Sequence, residues 1–220
     1  EVAVENAIDQ GVYVVAAAGN DGEDDDGDVS SPGSVKDVIC VGGVTRLGNS
    51  WSGSSEGDNN GRLWPNPILP RNDPDKKPEI IAPGLEVPVL MINSNSWWGW
   101  SSGTSASTAG VSGGLALFLQ EYPDFQRNTD SDSTKIEEIK QLLSENSQMK
   151  NGQSQHDDHF GYGIFRIDSL IDSAKTNSSN LENIIVTSDL TMLKNIFEIF
   201  QSERRMTARV PPDNSIKAIE

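Results

Sequence analysis

Gly11-Val12-Tyr13-Val14-Val15-Ala16-Ala17-Ala18-Gly19-Asn20 is the stretch that decides the fold. A continuous apolar run of this length, bounded by glycines and ending in small residues, predicts a strand buried on both faces, as in a parallel sheet covered by helices. Before it, Val4, Ala7 and Ile8 fall on one face of a helix that Gly11 stops. After it the sequence turns polar. Helix, buried strand and polar loop in that order predict an α/β domain with a doubly wound, mostly parallel sheet flanked by helices. In such a domain ligands bind beyond the carboxyl ends of the strands.

Moving outward, Asp21-Gly22-Glu23-Asp24-Asp25-Asp26-Gly27-Asp28 is an acidic loop closed by the turn residues Ser31-Pro32-Gly33. Val35 to Val44 predicts a second buried strand, with Cys40 as an inert buried thiol. Ser50 to Lys77 reads as loop, with prolines, glycines and asparagines and little periodicity. Glu79-Ile80-Ile81-Ala82-Pro83-Gly84 and Val87 to Ile92 predict short strands around a Pro-Gly turn.

Trp100-Ser101-Ser102-Gly103-Thr104-Ser105-Ala106-Ser107-Thr108-Ala109-Gly110 leads into Val111, Leu115, Ala116, Phe118 and Leu119. That pattern is a loop entering a buried helix at Ser105. A serine there has its hydroxyl near unpaired N–H groups at the positive end of the helix dipole, which suits a nucleophile that must stabilise an oxyanion beside itself. The plainer alternative is that Ser105 only caps the helix.

Tyr122-Pro123 stops that helix. Ser133 or Thr134 caps another, with Ile136, Ile139, Leu142 and Leu143 on one face. Gly161 to Ile167 reads as a short strand or turn, and Asp168 to Ala174 as a small helix. Residues 1–175 are expected to form one domain. From Lys175 a Ser/Asn-rich linker leads to a helical extension within 176–220, with Leu190, Leu193, Ile196, Phe197 and Phe200 at helical spacing.

Composition narrows the function classes. A net charge of −16 disfavours nucleic acid and anionic membranes, which would repel the chain. One cysteine excludes an internal disulfide, and no apolar run is long enough to span a bilayer. The chain opens without Met on residues that read as mid-helix, so it is expected to be a piece of a longer polypeptide, incomplete at its N-terminus. No signal peptide is visible in it.

Several of these stretches, in this order, resemble the C-terminal half of a subtilisin-like serine peptidase (subtilase). They are Val14 to Asn20, Ser31-Pro32-Gly33, Val38 to Val44, Lys77-Pro78-Glu79-Ile80-Ile81-Ala82-Pro83-Gly84, Gly103-Thr104-Ser105 and Phe160-Gly161-Tyr162-Gly163. The resemblance implies a serine endopeptidase that needs no cofactor and cleaves protein or peptide substrates, in an extracellular or cell-envelope location. It makes Ser105 the nucleophile and Asn20 the side-chain donor to the oxyanion. Thr104 would support that site, and Ala17, Ala18, Gly19, Asp21 and Pro32 would form the substrate pocket or its rim. Pro32 aligns with a proline often cis in the family.

Two features depart from the family pattern. The usual Pro-His pair after the nucleophile is replaced by Ala109-Gly110. The family's Asp and His, in Asp-Ser/Thr-Gly and His-Gly-Thr contexts, do not occur here and are expected upstream, in the N-terminal half of the same catalytic domain. His156 and His159 are the chain's histidines. The resemblance puts them in a late loop away from the nucleophile, where a solvated loop is expected over a metal site or a general base. The piece alone is then expected to be inactive, and a non-catalytic subtilase-like binding or scaffold module is the alternative. The acidic loop offers Asp21, Asp24, Asp26 and Asp28 as candidate structural calcium ligands, against selectivity for basic substrates or plain solvation. Trp97, Trp98 and Trp100 are expected to pack beneath and beside the nucleophile loop.

Overall fold

The computed structural model describes residues 2–23, 28–57, 71–90, 98–130 and 133–178. All of the described residues but Ser178 belong to the compact unit Glu1–Asn177. Its centre is a parallel three-stranded sheet in the order β1 (Val15–Ala17), β2 (Ile39–Thr45), β3 (Ile80–Leu85). β2 is buried almost throughout, as a central strand covered on both faces must be. Side chains alternate along β1. Ala16 packs with Ile8 of α1 (Val2–Asp9), with Val35 and Val38, and with Ile136 of α3 (Thr134–Asn146). The long helix α2 (Thr104–Glu121) lies against all three strands through Val111, Leu115 and Phe118. Mixed α/β architecture with a helix-flanked parallel sheet is therefore what the chain adopts.

Three local expectations need correction. The run before Val15 is not strand: β1 is only three residues, and Tyr13, Val14 and Val15 are half-buried rather than covered on both faces. Among the described residues β1 has its one ladder on β2, and Ala16 is its one buried residue. Pro83 and Gly84 do not form a turn but lie inside β3; the chain breaks at Glu86, whose φ is 51°. There β4 (Val87–Leu90) starts an antiparallel pair with β5 (Trp98–Ser101). Trp100 therefore stands on a strand, 48% exposed, with the Arg46 guanidinium 4.9 Å from its ring centre, rather than beneath the nucleophile loop. Trp97 lies outside the described residues.

The amphipathic face of α3 buries Ile136, Ile139, Leu142 and Leu143 as its spacing requires. Ser133 precedes it without a side-chain cap. Helix α4 (Ile167–Ser178) is longer than expected and takes in the start of the presumed linker. The rest of the proposed extension lies outside the described residues. Among the described residues no helix is long and apolar enough to cross a membrane.

Candidate active site

The entrance to α2 is built by three segments that are distant in sequence. Gly103 ends the approach with φ 150°, a backbone region that favours glycine, and its N–H donates to Gly84 O at 2.7 Å. Ser107, fully buried one turn on, donates to Ala82 O at 3.0 Å. A Cβ on Gly84 would lie 2.4 Å from Ser107 Oγ, so this glycine is what allows β3 and the helix to approach so closely. The Ala82-Pro83-Gly84 stretch is thus the seat of the first turn.

Asn20 comes to this turn from the exit of β1. Its Oδ1 accepts from the Thr104 N–H at 2.9 Å and from Thr104 Oγ1 at 3.1 Å. Gly103 has no side chain to cap the helix, so the cap is supplied across 84 residues by Asn20. The idea that Ser105 caps its own helix does not hold. A backbone N–H can only donate, so the amide oxygen faces Thr104 and Nδ2 faces away from it.

Thr104 stands behind Asn20 and Gly19 at the entrance to α2. It is fully buried, its Oγ1 lies within hydrogen-bonding distance of Gly19 O and Asn20 Oδ1, and it accepts from Gly19 N–H at 3.3 Å. The hydroxyl clamps Gly19 and Asn20 to the helix and is spent in doing so. Ser105, by contrast, is exposed, and among the described residues its N–H forms no hydrogen bond.

Ser105, Asn20, Gly19, Ala17 and Pro32 line one open groove of about 520 Å³. The Ser31–Pro32 bond is cis. Ala18 is not on the groove: it is fully buried against Val29 and Cys40. Asp21 is exposed but does not line the groove; its N–H is held by Ser55 Oγ at 3.2 Å. Ser54 and Ser55, both buried, brace this region, Ser54 Oγ accepting from Gly43 N–H at 2.9 Å. Serine-rich loop sequence carries no signal of which hydroxyls go inside.

Asp24 and Asp26 lie outside the described residues, and Asp28 is buried. Among the described residues no group of three or more His, Cys, Asp or Glu is arranged to hold a metal ion.

Neither histidine is solvated, contrary to expectation. The His156 side chain is 2% exposed, with Nε2 3.0 Å from Pro78 O and its ring edge-on to Tyr162. His159 sits between Ser50 and Glu56. Both are engaged away from the α2 entrance. Burial holds the His156 pKa below the ordinary histidine value. The unfolded chain then takes up a proton near pH ~6.5 that the folded state resists, so the contribution of His156 is full above that pH and is lost as pH falls. Melting temperature should fall between about pH 7.5 and about pH 5.5, and His156→Gln should flatten that slope in a thermal melt series.

Residues 1–163 match the subtilase family (peptidase S8). The chain belongs to the subtilase family. It is 32% identical over 142 residues to alkaline protease 1 of Aspergillus flavus, covering 64% of this chain and 29% of that protein. It is 31% identical over 144 residues to the major intracellular serine protease of Bacillus subtilis, covering 64% of this chain and 39% of that protein. Against the extracellular serine proteinase of Thermus sp. it is 36% identical over 123 residues, covering 56% of this chain and 25% of that protein. This subtilase chain therefore spans between a quarter and two-fifths of the length of these relatives. Its fold matches the CspB protease of Clostridium perfringens with TM-score 0.52 at 22% identity, over 71% of this chain and 30% of that one.

Proposed function

We propose that this chain is the nucleophile-bearing half of a serine endopeptidase. Ser105 Oγ attacks the scissile carbonyl, and the Asn20 amide with the Ser105 N–H holds the oxygen that becomes negative. The acyl-enzyme is then hydrolysed. The observation that carries this reading is the clamp of Asn20 Oδ1 on the Thr104 N–H, which leaves the amide N–H groups on the Nδ2 side of a groove that Ser105 also lines. Donors fixed before reaction are worth several kcal/mol to a tetrahedral intermediate because nothing must reorganise when charge appears. Ala17, Gly19 and Pro32 would form the pocket wall, where small residues leave room for a substrate side chain beside the backbone.

In this reading the base and its orienting carboxylate come from the N-terminal half of the same catalytic domain. An open, largely apolar groove of about 620 Å³ between Val12 to Val15 and Leu115 to Leu119 supports such a partner. The engagement of both histidines away from the α2 entrance supports it too. The chemistry needs no cofactor. Calcium in the acidic loop is proposed as structural only, and excess chelator should then lower the melting temperature. A compartment outside the cytosol or at the cell envelope follows the Thermus sp. relative, while the Bacillus subtilis enzyme is named as intracellular.

The test is reconstitution. The chain alone should not cleave casein. Co-expressed with the N-terminal half of its parent, it should, and Ser105→Ala should remove the activity. Undiminished cleavage by the Ser105→Ala enzyme sinks the proposal. A parent lacking the upstream Asp and His selects the non-catalytic binding module instead.

A further inference from the structure

Outside the groove, a second hydroxyl, imidazole and carboxylate stand in line. Ser50 Oγ is 2.6 Å from His159 Nε2, and His159 Nδ1 is 2.5 Å from Glu56 Oε1. A carboxylate only accepts, so Nδ1 carries the proton of the neutral ring and Nε2 is left bare to accept from the Ser50 hydroxyl. That is the tautomer a general base needs.

The ring is held firmly. Only 14% of the His159 side chain is exposed, its ring packs edge-on to Phe160 at 4.9 Å, and the backbone N–H of the residue donates to Asp157 Oδ1 at 2.9 Å. Ser50 is fixed by an antiparallel bridge to Val44 in β2, and the Glu56 carbonyl accepts from Val29 N–H at 2.8 Å. Ser50 itself is exposed, so a reagent can reach the oxygen.

We propose that Ser50 is a second, base-activated nucleophile that accepts an acyl group from small activated carboxylic esters. Ser50 Oγ forms a bond to the ester carbonyl carbon while its proton passes to His159 Nε2. The tetrahedral adduct collapses, the bond to the leaving oxygen breaks, and the proton held on His159 passes to the departing oxyanion or, where that is a weakly basic phenoxide, to water. Ser50 is left as an ester and His159 returns to neutral, with Glu56 stabilising the imidazolium between the two transfers. General-base assistance is worth about 10²–10⁴-fold, enough for an ester with a good leaving group and far short of what a peptide bond requires. The substrate class is therefore activated esters and not amides.

The experiment uses the full chain carrying Ser105→Ala, so that any acylation read at Ser50 is independent of the proposed peptidase site. The probe is p-nitrophenyl acetate, followed by intact mass and peptide mapping. Acetyl should appear on Ser50 and form at least ten-fold more slowly when His159→Gln is added. Glu56→Gln, at a half-exposed carboxylate that can be changed without opening the core, should slow it several-fold, with circular dichroism confirming that each variant is folded. Acetyl confined to lysines, or Ser50 acetylation at an equal rate in the parent and the folded Glu56→Gln variant, overturns the proposal.

Discussion

In the enzyme completed by its N-terminal half, Ser105→Ala is expected to lower kcat/KM for a peptide substrate by at least about 10³-fold, leaving only what binding and oxyanion stabilisation supply without a covalent route. The loss should fall on kcat. The groove walls at Ala17 and Pro32 are untouched by removing one exposed hydroxyl, so KM should move little. Asn20→Ala should cost about 10²–10³ in kcat, a figure known from a subtilisin itself rather than obtained from this geometry. It should also cost about 0.5–2 kcal/mol in stability, because the Thr104 N–H loses the acceptor that caps α2. A melt and a kinetic assay on the same variant separate the two effects. An Asn20→Ala enzyme with unchanged kcat would show that the amide does not face the developing charge.

Glu79→Ala is expected to be the most damaging single change to stability. Glu79 is fully buried between two ammonium groups, 2.6 Å from Lys77 Nζ and 2.8 Å from Lys140 Nζ, with Asp75 a further 2.8 Å from Lys140. Its second oxygen accepts the Cys40 N–H of β2 at 2.7 Å, so the carboxylate joins the central strand to α3. Burial pulls the Lys77 pKa down despite Glu79 beside it. For Lys140 burial acts the same way, but Glu79 and Asp75 outweigh it and the pKa ends raised. Removing the carboxylate leaves buried positive charge uncompensated, which costs about 3–5 kcal/mol. At about 2–4 °C per kcal/mol for a domain of this size, the melting temperature should drop by roughly 6–20 °C. Calorimetry reads it directly. A drop under about 2 °C would mean that Asp75 or water neutralises the lysines unaided.

Much of this was legible before folding. Period and run length marked the strands of the sheet and the buried face of α3, because those signals record only which sides of a local element avoid water. Gly103-Thr104-Ser105 ahead of a small-residue run likewise marked a hydroxyl at a helix entrance. The apolar run before and through β1 shows that cover is favoured, but the tertiary packing decides how much of it is supplied, and Ala16 is the one residue of β1 that ends buried. Pro83-Gly84 looked like a turn because its chemistry permits one; the demand for close contact with Ser107 put it in a strand instead.

What the sequence determined, then, is the set of elements, their order and the hydroxyl at Ser105. What only tertiary structure decided is which polar groups meet. Thr104 clamps Asn20 from 84 residues away, Lys140 joins Glu79 beneath the sheet, and His159 lies between Ser50 and Glu56. A polar side chain in a loop has no periodic signature, and its partner is set by how the layers close around it. Whether it ends solvated, buried with an ion pair, or aimed at a substrate is therefore a property of the packed chain.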